Sequence, residues 1–181
     1  MFFIMTEKTI FLMDGGYLSF ISKFLGKGKH LQFKIEKFAV NLSKRIGLKC
    51  NEIYFYTAPP YQSSKPTDEE NKRKANYDKF IDILKKIENP KVIIREGRCQ
   101  KIKNEFSQKG VDTLITMDLL KSSQDDSVKN IILLSADTDF VPIIEEIKNK
   151  KNLILHILQI REESQHLLYP IIYGMFSRKK L

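Results

Sequence analysis

The chain has 181 residues, enough for one domain with a sizeable core, and its 42% hydrophobic and 29% charged content is that of an ordinary globular protein. No apolar run approaches the roughly 20 residues of a membrane helix, which argues against a helical membrane protein, and Met1–Met5 is too short an apolar start for a signal sequence. Net charge is +9 and uneven: residues 1–109 hold 22 Lys/Arg against 12 Asp/Glu, whereas residues 110–181 hold 9 against 10, a balance that suits a polyanion binder with an acidic centre unless lysine is simply the favoured surface residue.

Thr9–Met13 reads as a first buried strand that ends at Asp14-Gly15-Gly16-Tyr17, a carboxylate followed by a backbone able to turn tightly. Tyr17–Leu25 starts a short helix, broken by Gly26-Lys27-Gly28-Lys29. Ile35, Phe38, Ala39, Leu42 and Ile46 recur at helical spacing, with Gly47 as the stop. Glu52–Thr57, rich in Ile, Tyr and Phe, is a second strand. The three prolines and two serines of Ala58–Pro66 make a loop, after which Thr67 and Glu70 have capping-box spacing. They open a long helix with Tyr77, Phe80, Ile81, Leu84 and Ile87 inward and Lys72, Arg73 and Lys74 outward. Val92–Ile94 is a third strand, followed by the basic residues Arg95, Arg98, Lys101, Lys103 and Lys109. Gly110 precedes a helix marked by Val111, Leu114, Ile115 and Leu119, with Asp112 in its first turn. Asp125 and Asp126 fall in a polar loop. Leu153–Ile160 is a fifth strand, and the tail carries an apolar run, Leu167–Tyr173, that suits either core or a homodimer surface.

The fourth strand leads into the stretch that organises the rest. Ile131-Ile132-Leu133-Leu134 ends abruptly at Ser135-Ala136-Asp137-Thr138-Asp139, and Pro142 suits the first turn of a helix. Two acids at the carboxyl end of a buried strand are costly unless paired, and they expect a cation. The plainer reading is that Asp137 caps the helix and Asp139 is solvated. Strands alternating with helices imply a parallel sheet covered on both faces. If strand order reverses between the first and fourth strands, Asp14 and Asp137 lie side by side at the switch point, with Asp112 able to close the cluster.

These segments resemble the NYN-domain family, a branch of the PIN-like nucleases that includes the LabA-like bacterial proteins. The resemblance rests on Asp14-Gly15-Gly16-Tyr17-Leu18, Tyr56-Thr57-Ala58-Pro59-Pro60-Tyr61-Gln62-Ser63, Lys109-Gly110-Val111-Asp112 with Asp118, and Ser135–Pro142, in that order. It covers about Thr9 to Ile172, and it implies a three-layer α/β/α sandwich, one domain over residues 1–181. It also implies a metal-dependent endoribonuclease acting on single-stranded or structured RNA. By similarity, Asp14, Asp112, Asp137 and Asp139 are the acidic site residues, and Asp118 is a further, second-tier candidate. On a helix, six residues place Asp118 about 120° around from Asp112. Two departures stand out: Tyr17 occupies a position that is often Asn, and Ala136 one that is usually Gly.

Such carboxylates would hold Mg²⁺ or Mn²⁺ through oxygen ligands. Lys65, Lys72, Arg73, Lys74, Arg95, Arg98, Lys101, Lys103 and Lys109 would grip phosphates, and Tyr17 and Tyr61 would meet the RNA, Tyr61 by stacking on an unpaired base. His30, His156 and His166 lie outside the motifs. Cys50 and Cys99 have no metal-binding spacing and read as reduced thiols of a cytoplasmic protein. The competing readings are a non-catalytic RNA-binding module, prompted by Tyr17, and a DNA structure-specific nuclease with the same pocket. A phosphatase of the haloacid-dehalogenase type is disfavoured, because its Asp-x-Asp follows the first strand rather than the fourth.

Overall fold

Apolar stretches and helical stripes alternate in the structure much as their spacing implies. In the computed structural model, residues 7–103 and 105–148 are described, together with the backbone of 154–158. The elements in chain order are β1 (Lys8–Asp14), α1 (Gly15–Leu25), α2 (Ile35–Arg45), β2 (Glu52–Thr57), α3 (Asp68–Lys85), β3 (Lys91–Glu96), β4 (Arg98–Ile102), β5 (Glu105–Lys109), α4 (Val111–Gln124), β6 (Val128–Leu134), a single 3-10 turn (Thr138–Phe140), α5 (Val141–Ile147) and β7 (Ile154–Leu158). The expected fifth strand is thus present as β7. The tail run Leu167–Tyr173 and the side chains of His156 and His166 lie outside the described residues.

Five strands form one parallel sheet in the order β3-β2-β1-β6-β7. Period-two alternation sends successive side chains to opposite faces. Phe11, Met13, Ile53, Phe55, Ile132 and Leu134 pack beneath α1, α2 and Leu84 of α3. Ile10, Leu12, Tyr56, Ile131 and Leu133 pack beneath α4, Phe140 and Ile147. The result is the expected three-layer α/β/α sandwich, with strands apolar on both faces as a buried parallel sheet requires.

Local signals set the helix ends. Thr67 Oγ1 accepts from the Glu70 N–H and Glu70 Oε2 accepts from the Thr67 N–H, completing the capping box of α3. Gly47, at φ 77°, ends α2: its N–H donates to Lys44 O and the Leu48 N–H to Ser43 O, a Schellman arrangement that satisfies carbonyls the helix leaves open.

One element carried no sequence signal. The basic run after β3 forms an antiparallel β4–β5 hairpin, with Arg98 opposite Lys109 and Lys101 opposite Phe106. Its residues show no apolar alternation because the ribbon stands in solvent, so cross-strand pairing rather than burial holds it. Its base is pinned at Gly97, where a Cβ would lie 2.5 Å from Lys109 O and 2.9 Å from Val111 Cγ2. Only glycine lets β3 pass that close to the start of α4.

Candidate active site

The chain leaves β1 for β2 and β3 on one side and returns to β6 on the other, so the carboxyl ends of β1 and β6 sit side by side at the switch point. Met13 pairs with Leu134, which brings Asp14 next to Ser135. α1 starts at once after β1, close over β2: a Cβ on Gly15 would lie 2.6 Å from Tyr56 O.

Asp14 is therefore both the last residue of its strand and the cap of α1. Its Oδ1 accepts from the N–H groups of Gly16 at 2.8 Å and Tyr17 at 3.2 Å. Its Oδ2 accepts from Ser135 Oγ at 3.4 Å, and Ser135 Oγ in turn accepts from the Asp137 N–H at 3.2 Å. One buried hydroxyl thus ties the two strand ends together. Asp137 Oδ1 accepts from the Asp139 N–H at 2.9 Å, capping the 3-10 turn as the plainer reading has it. Its other oxygen has no hydrogen-bond donor among the described residues, and Asp137 lines the same cleft as Asp14.

Asp112, in the first turn of α4, completes the cleft wall. Burial raises the Asp14 carboxyl above its ordinary value; the N–H groups and Ser135 oppose that rise, and Asp137 adds to it. Partial burial also raises Asp112, and the charges of Asp137, Asp14 and Asp139 push it further. Among the described residues no lysine or arginine forms an ion pair with any of these acids. Four like charges share one sheet edge without an ion-pair partner among the described residues.

Asp118 is placed elsewhere. Its buried carboxylate receives Arg95 Nε at 2.7 Å, Arg95 Nη2 at 2.8 Å and the Tyr56 hydroxyl at 3.0 Å. The 120° turn of the helix carries it from the cleft into a fork-to-fork pair, so its oxygens are used within the protein and it is not among the cleft residues. Arg95, 29% exposed, commits its Nε and Nη2 to Asp118. Arg98, Lys101, Lys103 and Lys109 line up on and beside the hairpin, while Arg73 lies on α3, 3.9 Å from Glu69. Tyr61 packs against Phe106 of the hairpin, ring centres 5.6 Å apart, and Lys101 Nζ stands 5.6 Å from the Phe106 ring.

The cleft has a volume of about 450 Å³, and α1, the end of β5, the start of α4 and the segment after β6 all contribute to it. Three of its residues had no assigned role in the sequence motifs: Ser135, Gln108 and Phe20. For Ser135 the available signal was a small polar residue between an apolar strand and an acid. For Phe20 it was the Tyr17-x-x-Phe20 spacing on α1. Gln108 had none, since its position depends on the hairpin.

The family model of the NYN domain matches residues 8–168, and so spans the sheet and every acidic residue of the cleft. The chain belongs to the NYN-domain family. This family is nuclease-like and consistent with the PIN-like superfamily, and the match carries no assignment to the LabA-like branch. Among curated proteins and among solved structures, nothing matches the chain significantly. Among the described residues no helix is long and apolar enough to cross a membrane.

NYN and PIN-like nucleases generally use divalent metals, and the donor chemistry of this NYN domain fits one. The cleft offers carboxylate and hydroxyl oxygens, the ligands of a hard cation, and its carboxylates repel one another. As placed, no three acidic, histidine or cysteine side chains among the described residues converge on one ion position. Asp112 and Asp139 are exposed and their carboxylates take no hydrogen bond among the described residues, whereas Asp14 and Asp137 are each held by a cap.

Proposed function

We propose that this NYN domain is a Mg²⁺- or Mn²⁺-dependent ribonuclease that hydrolyses phosphodiester bonds within single-stranded or structured RNA, with the whole chain acting as one domain. The observation that carries the reading is the crowding of Asp14, Asp112, Asp137 and Asp139 at the switch point with no ion pair to a lysine or arginine among the described residues. In this reading Asp14 and Asp137 hold the metal, and Asp112 and Asp139 complete its shell or orient the attacking water. A divalent ion there would supply charge neutralisation at the phosphate and acidify that water. Asp14, locked by two N–H groups and Ser135, gives the site one rigid wall against which the exposed acids adjust. Arg98, Lys101, Lys103 and Lys109 bring the backbone of the RNA along the hairpin toward Asp112, contacting phosphates without reading sequence. Tyr17 and Tyr61 are its aromatic contacts, and Arg73 extends the basic surface onto α3. Arg95 acts by holding Asp118 rather than by touching RNA.

The test is incubation of the purified protein with labelled single-stranded RNA, with Mn²⁺ or with EDTA, and Asp137→Asn alongside. Cleavage that requires metal and vanishes in the variant supports the reading. Binding without cleavage under both Mg²⁺ and Mn²⁺ favours a non-catalytic RNA-binding module, a second reading prompted by Tyr17 in place of Asn. Cleavage that survives replacement of every 2′-OH makes the substrate DNA as readily as RNA.

A further inference from the structure

α1 carries two apolar stripes. Leu18, Ile21 and Leu25 face the core, whereas Tyr17, Phe20 and Phe24 form a second line at i, i+3 and i+7. The rings of this second line are nearly parallel, Tyr17 to Phe20 at 6.2 Å and 13°, and Phe20 to Phe24 at 6.1 Å and 14°. Tyr17 and Phe24 are half-buried against the core, but Phe20 is 61% exposed and belongs to no core cluster. Leaving a phenyl ring in water forgoes the burial that usually justifies one. Its neighbours nevertheless hold its plane, so the orientation is set before any ligand arrives.

The ring also lies where an RNA would pass. Phe20 and Tyr17 line the cleft that holds Asp14, Asp112 and Asp137. Exposed Lys23 lies one turn beyond Phe20, and exposed Lys27 and Lys29 follow in the next loop, so the flank of the aromatic line is positive while the cleft is acidic. An aromatic face between a basic flank and a phosphodiester-cutting cleft matches the chemistry of a nucleotide: base on ring, phosphates on lysines. Within a duplex both faces of a base are already covered, so the partner must be unpaired.

We propose that Phe20, held between Tyr17 and Phe24, is a stacking platform for an unpaired base of single-stranded RNA next to the bond that is cut. This deepens the ribonuclease reading and rests on it for the identity of the strand. The fold has no need of the exposed ring, so Phe20→Ala leaves the protein folded, which its circular dichroism checks.

The test measures binding by fluorescence anisotropy in the Asp137→Asn background, which keeps the RNA intact, using a single-stranded oligonucleotide and a duplex of the same sequence. Phe20→Ala should weaken single-strand binding by about 5- to 150-fold and leave duplex binding unchanged. The chain contains no tryptophan, so Phe20→Trp adds a unique fluorophore that should keep the affinity and be quenched by the single strand. The platform is overturned by unchanged single-strand binding in Phe20→Ala, by equal losses on both RNAs, or by an indole emission that RNA does not move. A dimer that becomes monomeric in Phe20→Ala with RNA affinity intact would assign the ring to a second copy of the chain and overturn it equally. Metal-dependent cleavage by the unaltered protein is read separately: cleavage with Phe20-independent binding removes the platform and keeps the nuclease. Phe20-dependent binding without cleavage under any metal keeps the platform and removes the nuclease.

Discussion

Replacing Asp118 and replacing Asp112 should move stability in opposite directions, although both are aspartates of the same helix. Asp118 is 6% exposed and its partner Arg95 29% exposed, joined through the guanidinium Nε and Nη2, with the Tyr56 hydroxyl as a third donor. Burial and the Asp118 carboxylate together raise the Tyr56 phenol far above its ordinary value, so that hydroxyl stays a donor at any working pH. Removing one partner of a buried pair costs about 3–5 kcal/mol, because the other charge is left uncompensated. Water reaches part of Arg95, which reduces this to about 2–4 kcal/mol, and Asn retains one acceptor, so Asp118→Asn falls near the lower end. For a domain of this length that corresponds to a fall of about 4–8 °C in Tm. Asp112→Asn, by contrast, removes one of four mutually repelling charges and should leave the metal-free protein as stable or slightly more so. Urea unfolding in EDTA, followed by far-ultraviolet circular dichroism, measures both variants. A neutral Asp118→Asn that abolishes cleavage would refute the placement of Asp118 and return it to the metal set. An Asp112→Asn as damaged as Asp118→Asn would refute the like-charge crowding.

Three further outcomes follow from the same geometry. The folded state raises the Asp14 pKa above its unfolded value of 3.8, so folding favours the protonated form; in metal-free buffer this group's contribution to stability declines as pH rises from that value through the raised one. Urea midpoints across that window should therefore show a downward component that Asp14→Asn removes, and an identical slope in the variant would refute the assignment. Ser135→Ala deprives the Asp137 N–H of its acceptor and Asp14 of a donor, at about 1 kcal/mol of stability. Its kcat should fall at least about tenfold while RNA affinity holds, since such supporting contacts typically carry that much; unchanged turnover would make Ser135 structural only. Gly15→Ala forces a Cβ toward Tyr56 O and the Phe55 ring, destabilising by about 1–3 kcal/mol in thermal unfolding, whereas a neutral result would mean that α1 can retreat from β2 freely.

The sequence by itself determined the layers of this protein. Ile10–Met13 and Ile131–Leu134 are apolar at every position, as a strand covered on both sides is, and the stripes between them have helical period. The same strand-then-acid pattern at Met13-Asp14 and at Leu134–Asp137 marked both halves of the cleft before any strand order was known, because acids at strand ends are a local signal. Tertiary structure alone decided which acids meet. Asp118 carries the same side chain on the same helix as Asp112, yet its position on the helix surface gives it to Arg95, a residue from a strand 23 positions earlier. Nor did the run from Arg98 to Lys109 announce a hairpin, since a ribbon in solvent leaves no burial pattern to read. Phe20 is the converse case: its spacing is written in the chain, but an aromatic at i+3 looks the same whether it enters a core or faces a cleft. Burial is a property of what packs opposite, and that is fixed only when the sheet and helices are assembled.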